Sequence, residues 1–167
     1  YNVYGNPITN ENKEEGLKYG NTARVRLQHR GPDDNGIYND EHVTLAQTRL
    51  SILDLSQSGH QPMESSCGRY VIAYNGEIYN HLELRKQYLA AHPFRGHSDT
   101  ETIIELFRLK REAMTQDMVG MWAIIIWDKQ TKKIFISRSR FGQKPLYVRL
   151  KNNTWLLASE VRPMLQD

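Results

Sequence analysis

Three consecutive residues, Asn75, Gly76 and Glu77, are the best candidates for chemistry in this sequence. They follow an apolar run, so a side-chain amide, a bare backbone N–H and a carboxylate come together where a rigid element is expected to end. An amide and an N–H can stabilise the oxygen of a polarised carbonyl, and a carboxylate can accept hydrogen bonds from an amino group. The alternative is an ordinary tight turn, for which Asn-Gly is a typical dipeptide.

Two charged residues elsewhere in the chain lie where a partner of opposite charge is expected. Arg49 precedes the largely apolar run 50–53, and an unpaired guanidinium is costly to bury. Its partner is either an internal carboxylate or the carboxylate of a ligand. Asp99 lies in the expected first turn of a helix, where the helix dipole favours a carboxylate. It can also accept from the ammonium of a ligand.

A buried strand is predicted to carry the first group. The run 71–74 is rich in β-branched and aromatic residues, and we expect the strand to stop at Asn75. Other apolar or alternating runs predict further strands, and short turns between them imply antiparallel pairing. The further strands cover residues 1–4, 43–48, 121–127, 134–136, 145–150 and 154–158.

Helices are predicted from their start signals. Asn80 lies three residues before Glu83, and Ser98 lies three residues before Glu101, which is the spacing of a capping box. The second box opens a strongly apolar helical pattern. A further helix is expected over residues 11–28, followed by a polar loop over 29–36 in which His29 and Arg30 are either site residues or held by local hydrogen bonds.

Composition excludes several function classes. The chain has 167 residues, most consistent with one domain, and its net charge of +3 comes from scattered basic residues, so nucleic-acid binding has little support. No apolar run approaches the roughly 20 residues of a membrane span, and no signal peptide is visible. The single cysteine, Cys67, permits neither an intrachain disulfide nor a CxxC metal site. A cytoplasmic setting is expected.

Eight motifs occur in a specific order from His29 onward. Together they resemble the glutaminase domain of class II glutamine amidotransferases, of the asparagine synthetase type. The motifs are 29–36 (HRGPDDNG), 45–54 (LAQTRLSILD), 59–63 (GHQPM), 74–80 (YNGEIYN), 98–101 (SDTE), 120–128 (GMWAIIIWD), 140–147 (RFGQKPLY) and 158–160 (ASE).

The resemblance implies a fold and a reaction. The fold is the N-terminal-nucleophile hydrolase sandwich, an α+β fold with four α/β/β/α layers in which helices flank two antiparallel sheets. An N-terminal cysteine attacks the glutamine carboxamide, with its own α-amine, of reference pKa about 7.7 to 8.0, as general base. A thioester forms, ammonia leaves, and water releases glutamate. A separate synthetase domain would use ATP and Mg²⁺ to amidate a carboxylate acceptor, whereas the glutaminase domain itself needs no cofactor or metal.

The resemblance also assigns roles to the candidate residues. Asn75 and Gly76 would form the oxyanion hole, the Arg49 guanidinium would bind the α-carboxylate, and Glu77 and Asp99 would accept from the α-ammonium. Backbone groups of the run after Arg49 would line the pocket, and Arg30 and Asp33 would support it from behind. The expected glutamine-binding residues are Arg49, Leu50, Ser51, Ile52, Leu53, Asn75, Gly76, Glu77 and Asp99.

The sequence departs from the family pattern at its start. It begins with Tyr1, where a cysteine is expected, and Cys67 cannot replace that residue because it has no α-amine. Either residues that precede Tyr1 are missing from a glutaminase domain spanning 1–167, or the domain is degenerate, does not hydrolyse glutamine, and has a structural or ligand-binding role. The incomplete first strand favours the first explanation. Smaller departures are Gln47 in place of histidine and Ser139 in place of aspartate. Homo-oligomer formation is left open.

Overall fold

The computed structural model describes residues 11–31, 34–49, 59–151 and 154–165. The strand expected at residues 1–4 lies outside them. No helix in the described ranges is long and apolar enough to cross a membrane. The helices are α1 (Glu11–Leu27), α2 (His81–Tyr88) and α3 (Asp99–Lys110), and the strands are β1 (Asp34–Asn39), β2 (Thr44–Arg49), β3 (Met63–Glu64), β4 (Tyr70–Ile78), β5 (Gly120–Asp128), β6 (Lys133–Arg138), β7 (Tyr147–Lys151) and β8 (Thr154–Ala158).

The described strands form antiparallel sheets in a layered arrangement. A four-stranded sheet has the order β3-β4-β5-β6, and β1-β2 and β7-β8 are two-stranded. Helices α2 and α3 cover one face of the larger sheet, the β1-β2 pair packs on the other face, and α1 covers β1-β2. The layers therefore run α/β/β/α, which confirms the predicted sandwich of antiparallel sheets flanked by helices.

The centre of this arrangement is β4, whose two faces belong to two different cores. Ile72 and Tyr74 point toward the helices and pack with Ile104 of α3. Val71 and Ala73, which point the other way, pack in the second core against β1-β2. Ile72 and Ile104 have no exposed surface, and burying an aliphatic side chain of this size contributes about 1.5 to 3 kcal/mol. The apolar run 71–74 is thus a buried strand, as predicted.

The predicted end of this strand is wrong. Instead of stopping at Asn75, β4 continues to Ile78, because β5 pairs with every residue on the way, including Gly76 opposite Trp122. The alternative of a tight turn at Asn-Gly is excluded for the same reason. A side chain would not fit at Gly76, since a Cβ there would clash with the Met121 carbonyl oxygen. Here the glycine allows two strands to approach closely, with no turn involved.

The capping box predicted at Asn80 does not form. Asn80 occupies the N-cap of α2 without a side-chain capping bond. Its amide instead bridges backbone groups that precede β5, since Nδ2 donates to the Asp117 carbonyl at 2.9 Å and Oδ1 accepts from the Val119 N–H at 2.9 Å. Asn80 therefore ties the end of β4 to the start of β5.

The box at the start of α3 forms by half. Ser98 Oγ accepts from the Glu101 N–H at 3.3 Å, as a capping residue should. The Glu101 carboxylate does not return to Ser98. It accepts from the backbone N–H groups of Arg95 at 2.9 Å and Gly96 at 3.0 Å, which holds the loop in front of the helix.

Two strands escaped the sequence-based predictions. β1 begins at Asp34, inside what was predicted as a polar loop, and it pairs along its whole length with β2. β3 is formed by the two residues Met63 and Glu64 on the edge of β4. Both depend on a partner strand, because their own sequences carry turn residues or are too short for an alternating pattern to be seen.

Candidate active site

The candidate site lies at the edge of β4 that faces away from β5. On this edge the Tyr74 N–H donates to Gln61 Oε1 at 2.7 Å, and the Ile78 N–H donates to Asp99 Oδ2 at 2.9 Å. Successive backbone N–H groups of a strand point to opposite edges, so the Gly76 N–H lies on this edge between those two. An acceptor that approaches the edge from solvent would meet the Gly76 N–H.

Asp99 is held against this edge by two hydrogen bonds. Its Oδ2 accepts from the Tyr74 hydroxyl at 2.8 Å and from the Ile78 N–H at 2.9 Å. Burial and the Asp99 carboxylate raise the pKa of Tyr74 well above its usual range, so the phenol remains a donor. Oδ1 accepts no hydrogen bond from the described residues. The carboxylate is therefore oriented by the protein, with one oxygen left for a further donor.

Asn75 and Glu77 lie on the neighbouring face of β4. By strand alternation their side chains point to the face that carries Val71 and Ala73, and both are half-buried. Within the described ranges, neither side chain takes part in a hydrogen bond. The Asn75 amide and the Glu77 carboxylate therefore come directly before and directly after Gly76, whose N–H points to the edge of the strand.

The end of β2 lies beside the same part of β4. Gln47 Nε2 donates to the Tyr74 carbonyl oxygen at 3.2 Å, which joins β2 to the edge that carries Gly76. Arg49 is the last residue of β2, two residues further on, and its backbone pairs with Asp34. The predicted pocket residues Leu50, Ser51, Ile52 and Leu53 lie outside the described residues, as does Asp33.

His29 has an internal partner. Its Nε2 lies 3.2 Å from Glu160 Oε1, which connects the turn after α1 to the segment after β8. The contact spans 131 positions in the sequence, so it differs from the local hydrogen bonding that was the alternative to a site role. Arg30 lies in the short 3-10 turn Gln28–Arg30. The Arg30 side chain lies outside the described part of the structure, so its supporting role stays a prediction.

Gln61 is a site residue that sequence reasoning missed. It is 7% exposed, and it links the strand to the helix because its Nε2 also donates to Thr100 Oγ1 at 3.3 Å. It lies in the motif 59–63, but no role was predicted for it from the sequence, because a glutamine in a loop is unremarkable until its partners are known. Ser139 is also buried, and its N–H donates to the Trp122 carbonyl at 2.9 Å.

Cys67 is far from this site. It is exposed and lies in the turn before β4. At about 3.3 Å per residue, the strand places the turn about 20 Å from the Gly76 end. Among the described residues, no group of three or more His, Cys, Asp or Glu side chains could hold a metal ion.

The comparison with known proteins defines the class of this domain. Residues 3–167 match the glutamine amidotransferase domain family, so the chain belongs to that family. A solved structure of glutamine phosphoribosylpyrophosphate amidotransferase from Bacillus subtilis has the same fold, with a TM-score of 0.70 and 18% identity over 96% of this chain and 41% of the other. The fold is that of the N-terminal-nucleophile hydrolases.

Within this class, the similar sequences include asparagine synthetases. The glutamine-hydrolysing asparagine synthetase 2 of Bacillus subtilis is 42% identical over 83% of this chain and 18% of its own length. Asparagine synthetase B of Escherichia coli, also glutamine-hydrolysing, is 37% identical over 83% of this chain and 25% of its own length. The chain therefore spans a quarter or less of the length of these relatives. It is a class II glutamine amidotransferase domain of the asparagine synthetase type.

Proposed function

We propose that this domain binds L-glutamine and hydrolyses its side-chain amide to glutamate and ammonia. The observation that carries the proposal is the edge of β4, where the Gly76 N–H lies between two occupied N–H groups and next to the fixed carboxylate of Asp99. This edge offers a donor for a developing oxyanion and an acceptor for an ammonium within one small region. Glutamine carries both groups.

Each end of the substrate has a proposed partner. The Arg49 guanidinium binds the α-carboxylate as a planar fork. Glu77 and Asp99 accept from the α-ammonium, and backbone groups of residues 50–53 line the pocket. The Asn75 amide and the Gly76 N–H stabilise the oxyanion. This set is the one the family resemblance implied.

The proposed chemistry follows the usual course of a thiol nucleophile. The N-terminal amine takes the thiol proton. The thiolate sulfur then attacks the carboxamide carbon and forms a carbon–sulfur bond. The carbon–nitrogen bond breaks, and the amine returns a proton to the leaving ammonia. Water then attacks the thioester, the carbon–sulfur bond breaks, and glutamate leaves. A chain that begins with Tyr1 has no N-terminal thiol, so it is expected to bind glutamine without turnover.

Ammonia is proposed to serve a synthetase region. The relatives are named as glutamine-hydrolysing asparagine synthetases, and most of their length lies outside the part that this chain matches. We place the ATP and Mg²⁺ sites, and the amidation of a carboxylate such as aspartate, in that further part. The glutaminase domain supplies nitrogen and has no cofactor of its own.

The test compares two chains that differ at the N-terminus. One begins at Tyr1, and the other carries cysteine as its first residue with the short segment needed to complete the first strand. Calorimetry should detect glutamine binding to both, and an ammonia-release assay should detect turnover only with the cysteine-first chain. A third chain with serine first controls for the added segment. Turnover by the Tyr1 chain would refute the nucleophile, and silence from a folded, glutamine-binding, cysteine-first chain would favour a degenerate binding domain.

A further inference from the structure

His81 is a titratable residue that the proposed reaction does not use. It is the first residue of α2, three positions after Ile78, whose N–H donates to Asp99. Its ring is half-buried, and Nδ1 is buried with no hydrogen-bond partner among the described residues. A buried ring nitrogen without a partner is unusual, because burying a polar atom without a hydrogen bond costs free energy.

Charged groups reach His81 from three elements. Asp99 of α3 and Glu77 of β4 are the two carboxylates proposed to receive the ammonium of glutamine, and Glu83 and Arg85 come from its own helix. Burial is the largest influence and lowers the pKa of His81, against the opposing effect of Asp99. His81 is therefore neutral near pH 7.

The Arg85 guanidinium is held in place by three hydrogen bonds. Its guanidinium donates to Thr102 Oγ1 at 2.7 Å and to the carbonyl oxygens of Gly96 and Ser98, each at 2.8 Å. The Arg85 guanidinium is thus held in place by the protein, and its charge lowers the pKa of His81 while the two carboxylates raise it.

We propose that His81 determines the pH range in which the site accepts an α-ammonium ligand. The inference rests on the proposed function. When the imidazole is neutral, Asp99 and Glu77 remain available to the ammonium of glutamine. When it is protonated, the imidazolium partly neutralises the negative charge of the two carboxylates and repels the ammonium of glutamine. His81 is a specificity-determining residue in this sense, since it takes no part in the bond-breaking steps.

Protonation of His81 must then weaken glutamine binding by the same factor by which bound glutamine weakens the protonation of His81. Because linkage is reciprocal, a ligand that binds more weakly to the protonated domain must lower the pKa of His81 when it binds. A shift of one pKa unit corresponds to about a tenfold change in affinity. A ligand without an ammonium should not show this coupling.

The affinity of the Tyr1 chain for glutamine, measured by calorimetry, tests the proposal. We expect the Kd to change little between about pH 7.5 and about pH 6.5 and to rise severalfold as the pH falls toward about 5, because burial lowers the pKa of His81 below its usual value of about 6.5. The Kd of His81→Asn should stay within about twofold over that range. His42→Asn is the matched control, because His42 also has a buried Nδ1 without a partner among the described residues, but near Trp127. That variant should keep the dependence of the parent chain.

A matched ligand separates charge from shape. 4-Carbamoylbutanoate keeps the carboxylate and the amide of glutamine but lacks the ammonium. Its affinity for the parent chain should be independent of pH across the same range. An equal pH dependence for both ligands, or for His81→Asn and the parent chain with glutamine, would overturn the proposal while leaving glutamine binding intact.

A second measurement needs no ligand. The imidazole signal of His81, followed by NMR through a pH titration, should titrate at lower pH in Asp99→Asn and in Glu77→Gln than in the parent chain. Unchanged titration in both variants would show that the carboxylates do not act on His81 and would overturn the proposal. Absence of glutamine binding at every pH would instead contradict the proposed function, and this inference with it.

Discussion

Asp99, the first residue of α3, accepts a hydrogen bond from the Ile78 N–H at 2.9 Å, at the point where β4 ends. The same oxygen accepts from the Tyr74 hydroxyl at 2.8 Å. A helix N-terminus is thereby fixed to a strand edge by one carboxylate. Because the Gly76 N–H lies on that edge, the spacing between this donor and this acceptor is set by the sheet, which is more rigid than a loop.

Removing the Tyr74 hydroxyl should loosen Asp99. We expect Tyr74→Phe to raise the Kd for glutamine several-fold and to lower the free energy of unfolding by about 1 to 2 kcal/mol, because a hydrogen bond to a charged group is lost. Calorimetry and urea unfolding measure the two effects. The matched control is Tyr88→Phe, which removes a hydroxyl that donates to Asp117 at 3.1 Å. It should lose stability and keep its affinity.

Arg49 is expected to recognise the α-carboxylate. Arg49→Ala should weaken glutamine binding by about tenfold to a hundredfold, since hydrogen bonds to charged groups contribute about 1.5 to 3 kcal/mol. Its effect on the free energy of unfolding should be much smaller, because the proposed partner arrives with the ligand. Arg49→Lys should recover only part of the affinity, since an ammonium lacks the planar fork. Unchanged affinity in a folded Arg49→Ala variant would make Arg49 structural.

The oxyanion role of Asn75 predicts a kinetic effect. In a cysteine-first chain, Asn75→Ala should lower kcat by about a hundredfold to a thousandfold with little change in KM, because the donor acts mainly in the transition state. The ammonia-release assay gives both constants. Asn80→Ala is the control, since the Asn80 amide bonds the backbone near Val119. A proportionate rise in KM for Asn75→Ala would assign the residue to ground-state binding instead.

The stability of the larger sheet should depend on pH through Asp128. Burial alone would raise the pKa of Asp128, but hydrogen bonds from Arg69, at 2.8 and 2.6 Å, and from Thr131 outweigh it and lower the pKa to about 2. A carboxyl group with a lowered pKa in the folded state contributes stability above its unfolded pKa, and that contribution is lost as pH falls. The loss should occur between about pH 4 and pH 2.

Asp128→Asn tests this dependence. It should reduce the free energy of unfolding by about 2 kcal/mol near pH 7 and by much less near pH 2, where the parent carboxyl is also becoming protonated. Urea unfolding across this range measures the difference. Glu14→Gln, on the exposed surface of α1, should leave the acid-dependent slope of the parent chain unchanged.

The sequence by itself determined those elements whose signal is local. The runs 71–74 and 121–127 are buried strands, and the helix after Ser98 starts where predicted, because apolar periodicity and a capping serine act through neighbouring residues. The ordered motifs indicated the family, which the comparisons confirmed. The roles of Arg49 and Asn75 remain predictions.

Only the tertiary structure decided where β4 ends and what its edge meets. Asn-Gly typically forms a turn, yet here it lies within a strand, because β5 pairs alongside both residues and only glycine fits against the Met121 carbonyl oxygen. The Gln61 side chain reaches the Tyr74 N–H from thirteen positions away in the sequence, and Asp99 reaches Ile78 from twenty-one. Contacts between residues so far apart in the sequence depend on how whole elements pack, so a local sequence pattern cannot predict them.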